Sequence, residues 1–292
     1  MTHHFILTRF NVWIWGRDKS GRAIEREEWL RERLRLFETY CLPSVEGQTE
    51  GRFTWVLLVD EDTPEEFKGR IMQYRERCSR IRVVKVRRGY GEYFTQVFQQ
   101  VVGRALKECG AEPGDLCLTT YLDNDDSIRR SFLAETRRRC EALCLTPGAD
   151  CFLAFDYGVQ VFRQLRNLTT RILYPNNHFI TLAECLSEDA LRADERMARV
   201  MTCYGYGSHF LVERRGLARV EHVADKGMPM WAEVVHEGNV DNDVKMTLHT
   251  RFVGDRELLR REFSVDADVC QGNRLRFMKR AIKQVWRRLI NS

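Results

Sequence analysis

This chain of 292 residues lacks several patterns that assign proteins to a class. It has no run of about 18 apolar residues, so the sequence predicts no membrane-spanning helix. Its N-terminal residues contain no long apolar segment, and we therefore expect no signal peptide. Neither G-x-G-x-x-G nor a P-loop occurs, which argues against a dinucleotide or ATP site built on those motifs.

Paired cysteines are also missing, although the chain contains ten cysteines. Because none stands in a C-x-x-C pair, the sequence argues against a zinc cluster or a disulfide framework. Several cysteines lie among apolar positions, where a free thiol acts as a small hydrophobic side chain. Free thiols persist in reducing compartments, so we expect a cytoplasmic protein.

A strong excess of one charge is absent too. The chain has 47 basic and 42 acidic residues, and its net charge of +5 is too small to indicate nucleic-acid binding by itself. A hydrophobic content of 43% with six tryptophans suffices for a sizeable core. Length and composition therefore indicate one large globular domain, with or without an appended lobe.

Apolar periodicity predicts that strands and helices alternate over the first half of the chain. Four apolar runs of strand length are each followed by an amphipathic segment with helical spacing. Strands separated by such helices form right-handed crossovers and a mostly parallel sheet. The predicted strands are Phe5–Thr8, Thr54–Asp60, Ile81–Val86 and Leu116–Leu122, and the predicted helices carry Leu30–Cys41 (ended by Pro43), Phe67–Cys78, Phe94–Leu106 and Phe132–Leu143.

The pattern changes after Pro147 and Gly148. We therefore divide residues 1–272, a single domain, into halves 1–147 and 148–272, followed by a basic amphipathic helix over 273–292. In the second half we predict strands at Cys151–Phe155, Val159–Arg163 and Ser208–Val212, a loop rich in aromatic and amide groups at Tyr174–Phe179, and an exposed charged segment at Val253–Asp268.

An acidic cluster follows the fourth predicted strand. Asp123, Asp125 and Asp126 surround Asn124, and carboxylates so close together repel one another unless a positive group lies among them. In open α/β sheets, ligands bind at the carboxyl ends of the strands. A divalent cation held by the aspartates, and itself holding a phosphorylated substrate, would explain the cluster.

A turn followed by a helix N-cap is the simpler interpretation of the same residues. Asp126 or Ser127 would cap a helix that begins near Ile128, but one acidic residue suffices for that role. A calcium-binding EF-hand loop fits poorly, because Ile128 and Ala134 stand where glycine and glutamate are needed. We therefore favour the metal and phosphate interpretation.

Segments spread over most of the chain resemble GT-A type glycosyltransferases, and in particular the bacterial family of putative rhamnosyltransferases. An Asp-x-Asp pair alone occurs by chance in many proteins, so this spread makes the match more specific. Tyr121 departs from the pattern, since an arginine is expected before Leu-Asp-Asn-Asp-Asp. The matching segments are Thr8–Asn11, Leu42–Val45 with Gln48 and Thr49, Phe53–Asp60, Tyr121–Asp126, and Trp231 with Val235, His236 and Asn239.

The resemblance implies a GT-A fold, which is a Rossmann-like, mostly parallel sheet flanked by helices. Residues 1–147 would bind the nucleotide-sugar donor, a dTDP-, UDP- or GDP-sugar such as dTDP-rhamnose. Residues 148–272 would bind the acceptor, a hydroxyl of a glycan or a lipid-linked molecule in surface polysaccharide synthesis. No nucleic-acid partner is expected.

Metal ligands are also implied by the resemblance. Asp123 and Asp125 would hold Mn²⁺ or Mg²⁺ against the donor diphosphate, whose developing charge must be neutralised as it leaves. His236 would be a third metal ligand or a phosphate donor, although a lone histidine is as often a structural residue.

The nucleotide pocket implied by the resemblance lies at the ends of the first two strands. Asp60 would accept a hydrogen bond from the nucleobase, and Arg9 and Asn11 would line the same pocket together with Asp123. Trp231 is either a core residue or a stacking platform for the sugar, and the sequence leaves both open.

An inverting transfer needs a base that deprotonates the acceptor hydroxyl on the face opposite the leaving group. That acid should come from the second half of the chain. Glu184, after the aromatic loop, is the first choice, and Asp156 and Glu233 remain open.

Two other functions compete with glycosyl transfer. A metal-dependent nuclease or phosphotransferase would use the same acidic cluster, but it needs further acids, and only Asp60 and the pair Asp241 and Asp243 are available. An inactive glycan-binding or assembly module would keep the fold alone. The intact cluster argues against this last alternative.

Residues 274–290 are predicted to form a surface helix that docks on an anionic membrane. Nine apolar residues follow helical spacing, and seven basic residues occur with no acidic one. Alternatively, the apolar face packs on its own domain and the basic side chains are solvated. The first interpretation predicts a cytoplasmic protein with peripheral contact at the inner face of the cell membrane.

Overall fold

The computed structural model describes residues 1–12, 25–87, 93–236, 244–245 and 252–267, and six residues nearer the C-terminus: 275, 278, 279, 282, 283 and 286. Asn239, Asp241 and Asp243 lie outside the described residues. The strands are β1 (Thr2–Arg9), β2 (Thr54–Asp60), β3 (Ile81–Val86), β4 (Leu116–Tyr121), β5 (Ser127–Ile128), β6 (Asp150–Phe155), β7 (Tyr157–Phe162), β8 (Leu168–Leu173), β9 (Ile180–Cys185), β10 (Val220–Val223), β11 (Trp231–Val235) and β12 (Phe252–Gly254). The α-helices are α1 (Arg26–Leu36), α2 (Leu42–Glu46), α3 (Glu65–Arg77), α4 (Phe94–Glu108), α5 (Phe132–Ala142), α6 (Glu188–Arg192), α7 (His209–Val212) and α8 (Arg256–Phe263).

The larger sheet has, in the described part of the chain, seven strands in the order β10-β6-β9-β4-β1-β2-β3. All neighbours are parallel except β9, which is antiparallel to β4 on one side and to β6 on the other. Helices flank both faces: α1, α3 and α5 pack on one face and α4 on the other. The predicted mostly parallel sheet flanked by helices is confirmed.

β1, an interior strand of the larger sheet, is buried on both faces. Ile6 and Leu7 of β1 are both fully buried, and they point to opposite faces because strand side chains alternate. Ile6 packs in the core that contains α1, α3 and α5, and Leu7 packs in the core that contains α4. A strand buried on both faces has the continuous apolar sequence typical of parallel sheets.

A second sheet, of order β12-β8-β7-β11-β5 over the residues described, lies next to the acidic cluster. Ser127 and Ile128 of β5 pair with Ala232 and Trp231 of β11, directly after the cluster. The acidic residues are therefore held between the two sheets, with β4 before them and β5 after them.

Two predicted helix boundaries are wrong. The helix expected to end at Pro43 continues to Glu46, because a π-helical turn over Phe37–Cys41 shifts the hydrogen bonds just before the proline. The helix expected near Ile128 begins at Phe132. The expected caps are used elsewhere: Asp126 accepts the Val234 N–H, and Ser127 donates to the carbonyl of Tyr40.

Two later predictions are also wrong. Ser208–Val212 is not a strand, since α7 begins at His209; a run this short has too few residues to distinguish helix from strand by periodicity. Val253–Asp268 is not simply exposed, because Leu259, Phe263 and Val265 are fully buried. They pack on the second sheet with residues of β7 and β11. In the part of the chain that the structure describes, no helix is long and apolar enough to cross a membrane.

Candidate active site

The parallel strands β1, β2, β4, β6 and β10 end at the same edge of the large sheet. Polar side chains lie at or directly after these ends: Arg9, Asp60, Asp123, Asp156 and His222. This carboxyl edge is where open α/β sheets bind ligands. Of the sequence-predicted residues, it brings together Arg9, Asp60, Asp123 and Asp156.

Asp125 is buried, and one of its carboxylate oxygens already contacts two other side chains. Its Oδ2 accepts a hydrogen bond from Arg33 at 2.7 Å and lies 3.0 Å from Nε2 of His236. Burial raises the pKa of Asp125, but Arg33 and His236 outweigh it and hold that pKa below its ordinary value. Asp125 and His236, both expected as metal ligands, thus bond to each other, and both are buried.

A different group of side chains converges beside them. One ligand atom each from Asp123, Asp126 and His178 lie within 4.8 Å of one another. His178 Nε2 is 2.8 Å from Asp126 Oδ2. Burial raises the pKa of the Asp126 carboxyl, and the hydrogen bond to Asp126 raises the pKa of His178 although burial alone would lower it. The two side chains are therefore joined by a hydrogen bond beside Asp123.

Arg9 lies over aromatic rings beside Asp123. Its guanidinium is 4.9 Å from the Phe94 ring centroid, donates to the Tyr121 hydroxyl at 2.6 Å, and lies 3.6 Å from the Asp123 carboxylate. Burial lowers the pKa of Arg9, but Tyr121, Tyr204 and Asp123 outweigh that effect and raise it. Tyr121 stands where an arginine was expected, and it accepts a hydrogen bond from the guanidinium of Arg9.

Asp60 and Asn11 tie the ends of β1 and β2 together. Asn11 accepts the Asp60 N–H at 3.0 Å and donates to Thr63 Oγ1 at 2.8 Å, which fixes its buried side chain. Asp60 accepts hydrogen bonds from Arg26 and from the N–H of Asp62, both at 2.9 Å. Asn11 therefore positions Asp60, whose carboxylate already has a cationic partner.

Trp231 is a core residue. Its side chain is fully buried, stacks on Phe179 with ring centroids 4.9 Å apart, and donates to the Phe155 carbonyl at 2.7 Å. A sugar-stacking platform needs an exposed ring face, so of the two alternatives the core role fits.

Glu233 also lies inside the protein. Lys245 donates to both of its oxygens, at 2.6 and 2.7 Å, and Gln160 donates at 2.6 Å. Lys245 in turn lies over the ring of Tyr174, 4.5 Å from its centroid. Three hydrogen bonds from two donor groups hold this buried carboxylate between β7 and β11, which fits a structural role rather than that of an available base.

Glu184, the first choice for the base, lies away from the carboxyl edge. It pairs with Cys117 near the start of β4, whereas Asp123 follows the end of that strand. Its carboxylate accepts the N–H groups of Met201 and Thr202, at 2.7 and 3.1 Å. Burial raises the pKa of Glu184 to about 7. In this position Glu184 holds the loop at Met201 and Thr202 through its carboxylate.

Asp156 faces a histidine at the same edge. Its Oδ1 lies 2.6 Å from Nδ1 of His222, and Nε2 of His222 lies 3.5 Å from Glu213. Burial lowers the pKa of His222, but the two carboxylates outweigh it and raise it. His222 lines a small cavity with His209, whose ring is 6.3 Å from that of Tyr121. The Asp156–His222 pair therefore lies at the carboxyl edge of the sheet, with His222 at the wall of that cavity.

Sequence reasoning missed Arg26, Arg33, His178 and His222. Arg26 and Arg33 are seven positions apart on α1, so they lie on the same face of that helix. Two arginines on one helix face were the available sequence signal for partners of the acidic residues. His178 stands in the loop already noted for its aromatic and amide groups. His222 had no sequence signal that we recognise.

Comparison with known proteins shows the family of this chain. The model of the family described as "Putative rhamnosyl transferase" matches residues 7–248. The chain belongs to that family. The match contains every residue of the carboxyl edge described above. The search of curated proteins gave no match.

Solved structures give more distant similarities. S. aureus TarS 1–349 in complex with UDP aligns with a TM-score of 0.41 and 14% identity, over 80% of this chain and 61% of that one. The longer S. aureus TarS structure gives 0.39 and 14%, over 80% and 37%. Mannose-1-phosphate geranyltransferase from Thermus thermophilus gives 0.27 and 13%, over 80% and 73%. This rhamnosyl transferase family member thus spans less than two thirds of the TarS chains.

Proposed function

We propose that this protein transfers a sugar, with rhamnose the first candidate, from a nucleoside-diphosphate donor to a hydroxyl of a glycan or lipid-linked acceptor. In an inverting transfer, the acceptor oxygen bonds to the anomeric carbon as the bond from that carbon to the diphosphate breaks, and the hydroxyl proton passes to a base. The observation that carries the proposal is the arrangement of Arg9 and the Asp123–Asp126–His178 group at the carboxyl edge.

The donor side is assigned to residues 1–147, the proposed nucleotide-sugar half. Arg9 is fixed by Tyr121 and Phe94, and its guanidinium would bind a diphosphate oxygen beside Asp123. Asp60 would accept from the nucleobase, which requires that Arg26 release one carboxylate oxygen or share it. Asn11 supports this indirectly, because it holds the Asp60 backbone.

Metal dependence is part of the proposal, with the ligand set revised. Asp123, Asp126 and His178 offer two carboxylate oxygens and one imidazole nitrogen, a donor set that suits Mn²⁺ and accommodates Mg²⁺ with added waters. Asp126 and His178 are joined by a hydrogen bond that a cation would replace. A bound cation would neutralise the charge of the leaving diphosphate. Asp125 would instead hold Arg33 in place.

The base is assigned to the acceptor half, residues 148–272. Asp156 holds Nδ1 of His222, which fixes the ring so that Nε2 is the nitrogen available to take a proton. Glu213 lies 3.5 Å from Nε2 and is 57% exposed, so it can move aside for an acceptor. This pair replaces Glu184 as the proposed source of the base.

The test measures thermal unfolding with UDP, dTDP and GDP, each with Mn²⁺ and with a chelator. The proposal predicts that one nucleotide raises the unfolding temperature in Mn²⁺ and much less without it. Transfer of radiolabelled rhamnose from dTDP-rhamnose to a membrane extract tests the sugar. Metal-dependent cleavage of DNA or of a phosphoester, without any nucleotide response, would reject the proposal in favour of a nuclease or phosphotransferase.

A further inference from the structure

Four large apolar side chains near the C-terminus are exposed. Leu275, Met278, Ile282 and Trp286 are helical in conformation, and their exposed fractions are 72%, 50%, 56% and 63%. At about 100° per residue they fall within an arc of about 80° on a helix, so they form one narrow stripe. We call these four residues the C-terminal stripe.

The exposure of the stripe distinguishes docking on a membrane from packing of the apolar face on the protein's own domain. A helix whose apolar face packs on its own domain buries that face, as α8 does with Leu259 and Phe263. The C-terminal stripe is at least half exposed at every one of its four positions. Monomeric proteins seldom leave a contiguous apolar row in water without a partner, so the stripe needs an occupant.

Charge identifies the kind of occupant. Lys279 and Lys283 are exposed beside the stripe, and the sequence from Arg274 to Arg288 contains seven basic residues and no acidic one. Other surface helices of this protein mix the two signs, for example in the Lys68–Glu65 and Arg260–Glu257 pairs. Uniform positive charge beside an apolar row fits a surface that is both anionic and apolar.

We propose that the C-terminal stripe docks on the surface of an anionic lipid bilayer. The apolar side chains would enter the boundary between headgroups and acyl chains, with Trp286 at the interface level that tryptophan favours. Lys279 and Lys283 would face lipid phosphates, and each such residue strengthens binding about fivefold. A nucleic acid would pair with the basic side chains but would leave the apolar stripe in water. A second copy of the chain would cover the stripe, but its basic side chains would repel those of the first copy.

The experiment is co-sedimentation of the full chain with phosphatidylcholine vesicles that contain rising fractions of phosphatidylglycerol. We expect binding that rises with the anionic fraction and falls with salt. Trp286→Ala should weaken it about tenfold, and the double variant Lys279→Glu/Lys283→Glu should weaken it by more than about 20-fold. Met72→Ala, at an exposed apolar residue of α3, and Lys226→Glu, at an exposed lysine, are the matched controls and should bind as the parent does.

Several outcomes would overturn the proposal. They are absent vesicle binding, binding indifferent to phosphatidylglycerol, and equal loss in the stripe variants and the controls. A change of oligomeric state in the Trp286→Ala variant would assign the stripe to a second copy, and loss of RNA binding in the lysine variant would assign it to nucleic acid. Unfolding temperatures of all variants should match the parent, because the substituted side chains are exposed.

Discussion

Each aspartate of the acidic cluster has its own basic partner. The pairs are Arg9–Asp123, Arg33–Asp125 and His178–Asp126. The repulsion that first suggested a metal is therefore already relieved by side chains. The proposed metal dependence rests instead on the convergence of the Asp123, Asp126 and His178 ligand atoms. Substitutions of Asp123 and of Asp125 should therefore have different effects.

Asp123→Asn should lower nucleotide affinity in Mn²⁺ to the value measured with a chelator. The reason is that Asp123 is the most exposed member of the ligand group, so its removal weakens the metal site without opening the core. Isothermal titration of the nucleotide with and without Mn²⁺ measures the effect. Unchanged affinity in Mn²⁺ would refute the role of Asp123 as a ligand.

Asp125→Asn is the matched control and should act on stability. Asp125 is buried and charge-paired with Arg33, and loss of one partner of a buried pair lowers the free energy of unfolding by about 3 kcal/mol or more. Urea unfolding measures this change. If Asp125→Asn leaves stability unchanged but removes the metal effect on nucleotide binding, Asp125 rather than Asp126 belongs to the metal site.

His222→Gln should lower the rate of transfer about 100-fold or more while donor affinity stays unchanged. The carboxylates beside His222 raise its pKa, so the neutral, proton-accepting form increases as the pH rises through a value above the ordinary histidine pKa. The parent's kcat/KM should rise with pH over that range, and the variant should lose the rise.

Asp156→Asn separates this role from a structural one. Without the Asp156 carboxylate the pKa of His222 falls, so the rise in kcat/KM should shift to lower pH rather than disappear. The pH–rate profiles of both variants provide the test. A parent-like profile in His222→Gln would mean that the base lies elsewhere.

Glu184→Gln should keep the parent's rate of transfer within about threefold, because Glu184 lies beside Cys117 rather than at the carboxyl edge. Its effect should appear in stability. Burial raises the folded-state pKa of Glu184 from 4.5 to about 7. The contribution of its protonated form to the free energy of unfolding is therefore fully present below pH 4.5 and is lost as the pH rises through 7. Urea unfolding at pH 5 and pH 8 should show a smaller difference in the variant, by roughly 3 kcal/mol. An equal pH dependence would contradict this account.

At the scale of elements, β7 and β11 meet so closely that one position admits only glycine. A Cβ built on Gly158 would lie 2.2 Å from ring atoms of Trp231, which is itself stacked on Phe179. Gly158→Ala should therefore lower the free energy of unfolding by about 3 kcal/mol. Gly69→Ala in α3 is the control: its Cβ would meet nothing within 4 Å, and the helix should gain about 0.5–1 kcal/mol. Urea titration checks both, and equal effects would contradict the packing argument.

Elements with long periodic patterns could be predicted, and short ones could not. β1, β2 and β4 have the apolar runs that a buried parallel strand requires, so their positions follow from the pattern of burial. The π-helical turn before Pro43 depends on a shift of backbone hydrogen bonds that side-chain spacing does not record. β5 and α7 have two and four residues, too few for any period to appear.

Some residues of the candidate site could also be predicted from the sequence, and others could not. Asp60 and Asp123 could be predicted because each stands at the end of an apolar run, which fixes its place on the sheet. Their partners could not, because Arg33 is 92 positions from Asp125 and His178 is 52 positions from Asp126. Such pairs form only when the sheet order is known. The position of Glu184 away from the carboxyl edge could not be predicted for the same reason, since its strand, β9, runs antiparallel to β4.

At the scale of the whole molecule, the two proposed halves share one sheet. β6, β9 and β10 come from the second half, and β9 pairs with β4 of the first. We therefore expect a single cooperative unfolding transition, with coincident urea curves from tryptophan fluorescence and far-ultraviolet circular dichroism. Two separated transitions would show that residues 1–147 and 148–272 are independent domains.

The insertion of β9 between β4 and β6 has a consequence for synthesis on the ribosome. β4 leaves the exit tunnel long before its partner: Thr120 pairs with Thr181, which is translated 61 residues later. During that interval β4 is an open edge with unpaired backbone groups, and such an edge recruits strands from other chains. Slow translation between these two residues would therefore lengthen the period in which the growing polypeptide needs a chaperone.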